Sequence, residues 1–161
     1  MAIPSISGQE HQIAHFIRSL LEAEGVPVQM VEVEGCGPSL AAFHKFPGEG
    51  GTLTFYGHLD TVEPARGWRN PFKPRVSQGR LYGLGSCDMK AGLAAQVEAL
   101  LSLRRAGLNL GGTLMLAMAS DEELYSRGCH ALLGSGLLSR ADAVLSGEPT
   151  GLSKVEVGKP G

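Results

Sequence analysis

Neither sign of charge dominates this chain. Its 161 residues carry 14 Lys and Arg against 16 Asp and Glu, for a formal net charge of −2. That balance excludes an electrostatic grip on a polyanion or an anionic membrane, so no nucleic acid and no membrane is expected as partner. No apolar run approaches the ~20 residues of a membrane span. The opening MAIPSISGQEHQ has neither the basic start nor the apolar stretch of a signal peptide. Cysteine is sparse: Cys36, Cys87 and Cys129 are odd in number and form no CxxC pair. They read as reduced thiols in a cytoplasmic protein, with Cys87 and Cys129 as small buried hydrophobes. Nucleotide motifs are missing too. There is no Walker A loop and no GxSxG elbow, and GLGSCD has Asp88 where a dinucleotide-binding loop needs its third glycine. His11 and His15 have the spacing of an HExxH helix, but Gln12 replaces the Glu, so both are expected to be exposed helix residues. No repeat, low-complexity tract or linker divides the chain.

What is present is a globular composition, 43% hydrophobic and 19% charged, with 23 glycines for tight turns. SGQEHQIAHFIRSLLEAEG spaces Ile13, Phe16, Ile17, Leu20 and Leu21 as a helix, with Ser7 and Glu10 fitting a capping box and Gly25 the stop. VPVQMVEVE, SLAAFHKF and GGTLTFYGHLD read as strands. Residues 61–79 hold three prolines and read as irregular, and GRLYGLG follows as a short strand. DMKAGLAAQVEALLSLRRAG is a helix ending at Gly107, GTLMLAMAS a buried strand and SRGCHALLGSGLL a short helix. ADAVLSG is a further strand, and SKVEVG begins one more. Strands alternate with helices, which predicts an α/β three-layer sandwich with a largely parallel mixed sheet. Ligands of such sheets gather beyond the carboxyl ends of the strands.

Four of these strand ends carry polar groups. His58 and Asp60 follow TFYG, Asp88 precedes the long helix, Glu122 and Glu123 follow LMLAMASD, and Glu148 follows VLSG. Adjacent acids repel unless they are solvated or share a cation. Solvent exposure near a helix N-terminus is one reading; a divalent cation is the other. A His-x-Asp pair suits a ligand whose far ring nitrogen is held by a carboxylate. In an extended backbone Glu122 and Glu123 would point to opposite sides, one to a metal and one to the water it activates.

GHLDTV, RLYGLGSCDMKAGLAA, SDEEL and GEPTG resemble, in order and spacing, the peptidase M20 family of acetylornithine deacetylase, succinyl-diaminopimelate desuccinylase, aminoacylase-1 and the glutamate carboxypeptidases. The resemblance runs from IPSISG to GEPTG. It implies two zinc ions, with Co2+ as an alternative. His58 and Glu148 would hold the first, Glu123 the second, and Asp88 would bridge them. Asp60 would orient His58, and Glu122 would act as general base, passing a proton to the leaving amine. The Asp88–Met89 peptide bond would be cis. The substrate would be a small N-acyl amino acid, of deacetylase or desuccinylase type, a lean that the GWRNPFKP segment shares. A metallo-carboxypeptidase or dipeptidase is the alternative, and a non-catalytic metal-binding fragment another.

The sequence departs from the family pattern at Leu84, where Arg or another polar residue is common, and at Tyr125, where Gly is common. Family members are roughly twice as long or more. Residues 1–161 therefore read as a partial metallohydrolase catalytic domain, without the lid or dimerisation domain and the returning segment that gives the second zinc its His. A full-length parent would be a homodimer. This chain is expected to bind one zinc well and a second weakly, to turn over poorly, and to leave an open sheet edge.

Overall fold

Ile13, Ile17 and Leu21 of the expected apolar set, joined by Ala14, form one buried stripe of helix α1 (His11–Ala23), whereas Phe16 and Leu20 of that set are exposed. The structure, a computed structural model, describes residues 1–151 and 155–157. Helix α2 (Lys90–Ala106) buries Leu93, Val97, Leu100 and Leu101 and ends on Gly107, whose φ of +60° closes the helix where Arg104 and Arg105 face the negative end of its dipole. Helix α3 (Arg127–Gly134) is the short helix expected from SRGCHALLGSGLL, but it stops at Gly134, four residues before that stretch ends. A single 3-10 turn, Leu138–Arg140, follows it.

Among the described residues seven strands accompany them: β1 (Val28–Val31), β2 (Ser39–Lys45), β3 (Gly48–His58), β4 (Arg75–Ser77), β5 (Arg80–Tyr82), β6 (Gly111–Ala119) and β7 (Ala143–Ser146). Five form the main sheet in the order β1-β2-β6-β3-β7. β3 pairs in parallel with β6 and β7, while β2 is antiparallel to both β1 and β6. Only β2 runs against the rest, so the sheet is mixed and largely parallel.

Side-chain alternation splits the core between two faces. Leu40, Ala42, Leu114, Leu116 and Met118 meet α1 and α2 on one face; Ala41, Ala117 and Ala119 meet Leu132 and Leu137 on the other. The result is a helix–sheet–helix sandwich. β6 is covered on both sides, which is why LMLAMA is continuously apolar rather than alternating. Among the described residues no helix is long and apolar enough to cross a membrane.

Three expectations change. GRLYGLG yields β5, which stands outside the main sheet. It pairs with β4, a strand inside the stretch expected to be irregular, and Arg75 stacks 4.5 Å above Tyr82 across that hairpin. Burial does not hold these exposed strands, so hydrophobic patterning gave no sign of β4. The Ser7–Glu10 capping box does not form: neither side chain caps α1. Of SKVEVG, Ser153, Lys154 and Gly158 lie outside the described residues, and residues 155–157 form no strand.

β3, β6 and β7 are adjacent, parallel and in register, with His58 opposite Ala119 and Tyr56 opposite Ser146. Their carboxyl ends therefore open on one edge, where four of the six candidate residues follow within four positions. Asp60 lies two residues past β3.

Candidate metal centre

His58 is the last residue of β3 and is 1% exposed. Its Nδ1 lies 3.1 Å from the Asp60 carbonyl oxygen and 3.4 Å from Asp60 Oδ1. That engagement leaves Nε2 facing outward, 3.2 Å from Asp88 Oδ1 and 3.7 Å from Glu148 Oε1. Ligand atoms of His58, Asp88 and Glu148 all lie within 4.8 Å of one another. One imidazole nitrogen and two carboxylates around a single point is a donor set that fits zinc or a similar divalent ion.

Asp88 reaches this point because α2 docks closely. Met89 is fully buried beneath β3, with its sulfur 3.3 Å from the His58 amide nitrogen, whereas the Asp88 side chain is 53% exposed. The Asp88–Met89 peptide bond is cis. Gly92 lies so near the Gly147 carbonyl that a Cβ there would overlap it. Gln96 donates from Nε2 to the Tyr56 and Leu145 carbonyls, tying α2 to both β3 and β7. Glu148, just beyond β7, is thereby held near Asp88.

Glu122 and Glu123 occupy a turn, not the extended backbone expected of them. The chain enters the turn through Asp121 at φ +54° and closes it with Ser126 N–H on the Asp121 carbonyl, 2.7 Å. Opposite pointing of neighbouring side chains therefore has no basis here. Asp60 Oδ1 accepts from Glu122 N–H and Oδ2 from Glu123 N–H, each at 3.1 Å, and Oδ2 also accepts from Ser7 Oγ at 2.7 Å. Asp60 thus holds the acidic turn as well as the imidazole. Glu123 stands outside the three-residue cluster and lines, with Asp88, a cavity of about 280 Å³.

The charges agree with this crowding. Burial pulls the His58 imidazole down, but the Asp60 hydrogen bond and the charges of Asp60, Glu148 and Glu122 prevail and raise it to about 9. Burial first, with neighbouring carboxylates, pushes Glu123 and Glu148 up; the His58 charge opposes both. For Asp60 burial favours the acid, yet the bonds from His58, Ser7, Glu122 and Glu123 hold it below the usual range. A cation would relieve the repulsion among these carboxylates.

Several residues around the site carried no sequence signal of their role. Buried Lys90, lowered to about 8 by desolvation against the pull of Asp60, donates to the Ile3 carbonyl at 3.2 Å. Ser39 Oγ accepts from Ser120 N–H at 3.1 Å. Arg127 Nε donates to Asp121 Oδ2 at 2.6 Å and stacks its guanidinium 5.3 Å from the Tyr125 ring. Leu84 is buried, and Tyr125 is exposed. Cys87 is exposed rather than buried, because it precedes Asp88 on the open rim; Cys129 is half-buried. His11 and His15 are exposed, as expected.

Fold and donor set define an α/β sandwich with a candidate cation site at the carboxyl edge of its sheet. The chain belongs to peptidase family M20/M25/M40, which it matches over residues 54–159. It is 38% identical over 124 residues to the succinyl-diaminopimelate desuccinylase of Wolinella succinogenes, an alignment covering 76% of this chain and 32% of that protein. The enzyme of the same description from Nautilia profundicola is 37% identical over 124 residues, with the same coverage of 76% and 32%. Among solved structures, the M20 family metallo-carboxypeptidase Sso-CP2 of Sulfolobus solfataricus matches with a TM-score of 0.77 at 25% identity, covering 90% of this chain and 34% of that one. The chain spans about a third of the length of the curated relatives, at 32% of each.

Proposed function

We propose that this chain carries the catalytic half-site of a metal-dependent amide hydrolase acting on N-acyl amino acids, of deacetylase or desuccinylase type. The observation that carries the reading is the convergence of His58, Asp88 and Glu148 within 4.8 Å, beside a turn that presents Glu122 and Glu123. His58 and Glu148 would hold one divalent ion, zinc in our reading, Glu123 a second, and Asp88 both. When bound, the ions supply Lewis acidity toward the scissile carbonyl and the attacking water. Glu122 takes the proton of that water and returns it to the leaving nitrogen. Asp60 fixes the imidazole and the backbone of Glu122, so the base is oriented before substrate arrives.

A second cavity, of about 560 Å³, is lined by Arg69, Lys73, Arg75 and Tyr82 and shares Trp68 with the one reaching Asp88. Its cations suit a substrate that carries a carboxylate away from the scissile bond. The free state of Cys36, Cys87 and Cys129 suits the reducing cytoplasm. A carboxypeptidase reading has the Sulfolobus protein behind it and would use the same groups on a peptide bond.

Among the described residues the second ion would find only Asp88 and Glu123, so we expect one ion per chain and very slow turnover. Elemental mass spectrometry on the chain purified without chelator, with hydrolysis of N-succinyl and N-acetyl amino acids and a dipeptide under excess zinc, is the test. Glu122→Gln should keep the metal and lose on the order of 10²-fold or more in rate. Zinc retained with no hydrolysis by either chain would favour a binding module; no zinc at all would sink the reading.

A further inference from the structure

Glu10 is a fully buried acid, 0% exposed, in the segment that leads into α1. It occupies the N-cap position but makes no side-chain bond to its own helix. Its oxygens instead accept three backbone N–H groups from other places: Oε1 from Gly8 at 2.7 Å and Asp121 at 3.0 Å, and Oε2 from Gly37 at 2.8 Å. No cation of the described residues pairs with it. Burying a carboxyl group this way is costly unless its bonds are met, and here backbone amides meet them.

The identity of those amides is what matters. Asp121, Glu122 and Glu123 offer three consecutive N–H groups; Glu10 takes the first and Asp60 the next two. The two carboxylates are joined through the strap before α1. Gly8 N–H binds Glu10, and the neighbouring Ser7 Oγ binds Asp60. The strap is itself fixed to the end of β3: Thr61 N–H donates to the Ser5 carbonyl at 2.9 Å, and Ser5 Oγ to the Leu59 carbonyl at 2.7 Å. On the far side Arg127 holds the Asp121 carboxylate, where the backbone turns left-handed.

We propose that Glu10 is a positioning residue of the site. With Asp60 it forms a two-carboxylate cradle that sets the rotation of the 121–123 turn, and so the placement of Glu122 and Glu123. The cradle is a property of the metal-free chain; only its consequence for zinc rests on the function proposed above.

Glu10→Ala removes the acceptors of all three bonds, whereas Glu10→Gln can keep its oxygen toward Gly8 and Asp121 and turn its NH2 to the Gly37 N–H, so only that tie is lost. Two readouts decide. The first is amide hydrogen exchange by NMR on the metal-free chain, with residues 121–123 normalised to residues 114–118 of β6. The second is zinc affinity by chelator competition. Glu10→Ala should speed exchange at 121–123 about tenfold relative to β6, and weaken zinc about tenfold, because the loosened turn frees Asp60, the hydrogen-bond partner of His58. If that variant does not fold, Glu10→Gln carries the test: its neutral oxygen is a weaker acceptor than the carboxylate, so exchange should rise less, at Asp121, and still only in the turn. Exchange that rises equally in β6 and the turn, or in neither, overturns the proposal and leaves Glu10 a general stabiliser. If the parent chain takes no zinc while the turn responds, the metal reading fails and the cradle stands. If the parent takes zinc and neither readout moves, the cradle fails and the metal reading stands.

Discussion

The two ring nitrogens of His58 have opposite surroundings, and that asymmetry gives the site a definite dependence on pH. Nδ1 is engaged by Asp60, and Nε2 faces Asp88 and Glu148. With no cation present, the neighbouring carboxylates raise the imidazole to about 9 despite its burial. A metal takes Nε2 only from the neutral ring, so loading must displace a proton. Zinc affinity should therefore climb about tenfold per pH unit from 6 toward 9 and then level off. Chelator competition at several pH values measures this, and a flat profile would mean that Nε2 is not a ligand. The metal-free chain should show the converse. A group raised in the folded state stabilises fully below its unfolded value of about 6.5 and loses that contribution as pH rises through its folded value. The urea midpoint of the chelated chain should fall between neutral pH and pH values above 9, and His58→Asn should flatten the fall. At this scale the three residues that converge, His58, Asp88 and Glu148, were legible, because each stands beside an apolar strand or a strong helix, whereas Glu123, read from the same pattern, stands outside their cluster. Ser7 and Glu10 were not. Their spacing is also that of a capping box, and the Glu10 partner Asp121 lies 111 positions away, beyond any local pattern.

Between elements, the decisive contact is the docking of α2 against the start of the loop after β7. Gly92 meets the Gly147 carbonyl there, backbone against backbone, with no flexible side chain to yield. Gly92→Ala should destabilise the chain by about 1–3 kcal/mol through overpacking. It should also weaken zinc binding, since the shift separates Asp88 from Glu148. Gly134→Ala, in α3 where a Cβ meets nothing within 4 Å, is the control and should leave stability unchanged or raise it by up to about 1 kcal/mol. Thermal melts and zinc titrations on both variants check the pair; equal effects would mean that the Gly92–Gly147 approach does not hold Asp88 near Glu148. Helical and strand periodicity made α1, α2, β3 and β6 readable because burial wrote them. The β4–β5 hairpin and the Asp121–Ser126 turn were unreadable for the converse reason: cross-strand pairing, a left-handed Asp121 and hydrogen bonds to distant carboxylates shape them, and none of these leaves an apolar period.

For the molecule as a whole, the sheet is covered unevenly. β6, at its centre, is buried on both faces, but among the described residues β7 is an edge strand paired with β3 alone, and all four of its residues are exposed. Val144 is 61% exposed and Leu145 49%, and Leu53 on the adjoining β3 is 40% exposed. An apolar edge with unpaired backbone groups is a template for another chain. Little electrostatic repulsion opposes association, because the net charge is only −2 and the sequence pI is about 6.2. Self-association should therefore grow with protein concentration and strengthen as pH falls toward that value. Val144→Lys places a charge on the edge without touching the metal-type groups at the strand ends, and should shift the chain toward monomer while leaving zinc affinity unchanged. Sedimentation velocity across a concentration series, on the parent and the variant, reads both effects. A parent that stays monomeric would mean the β7 edge is adequately protected as it stands. A variant that associates as strongly as the parent would place the contact on another surface.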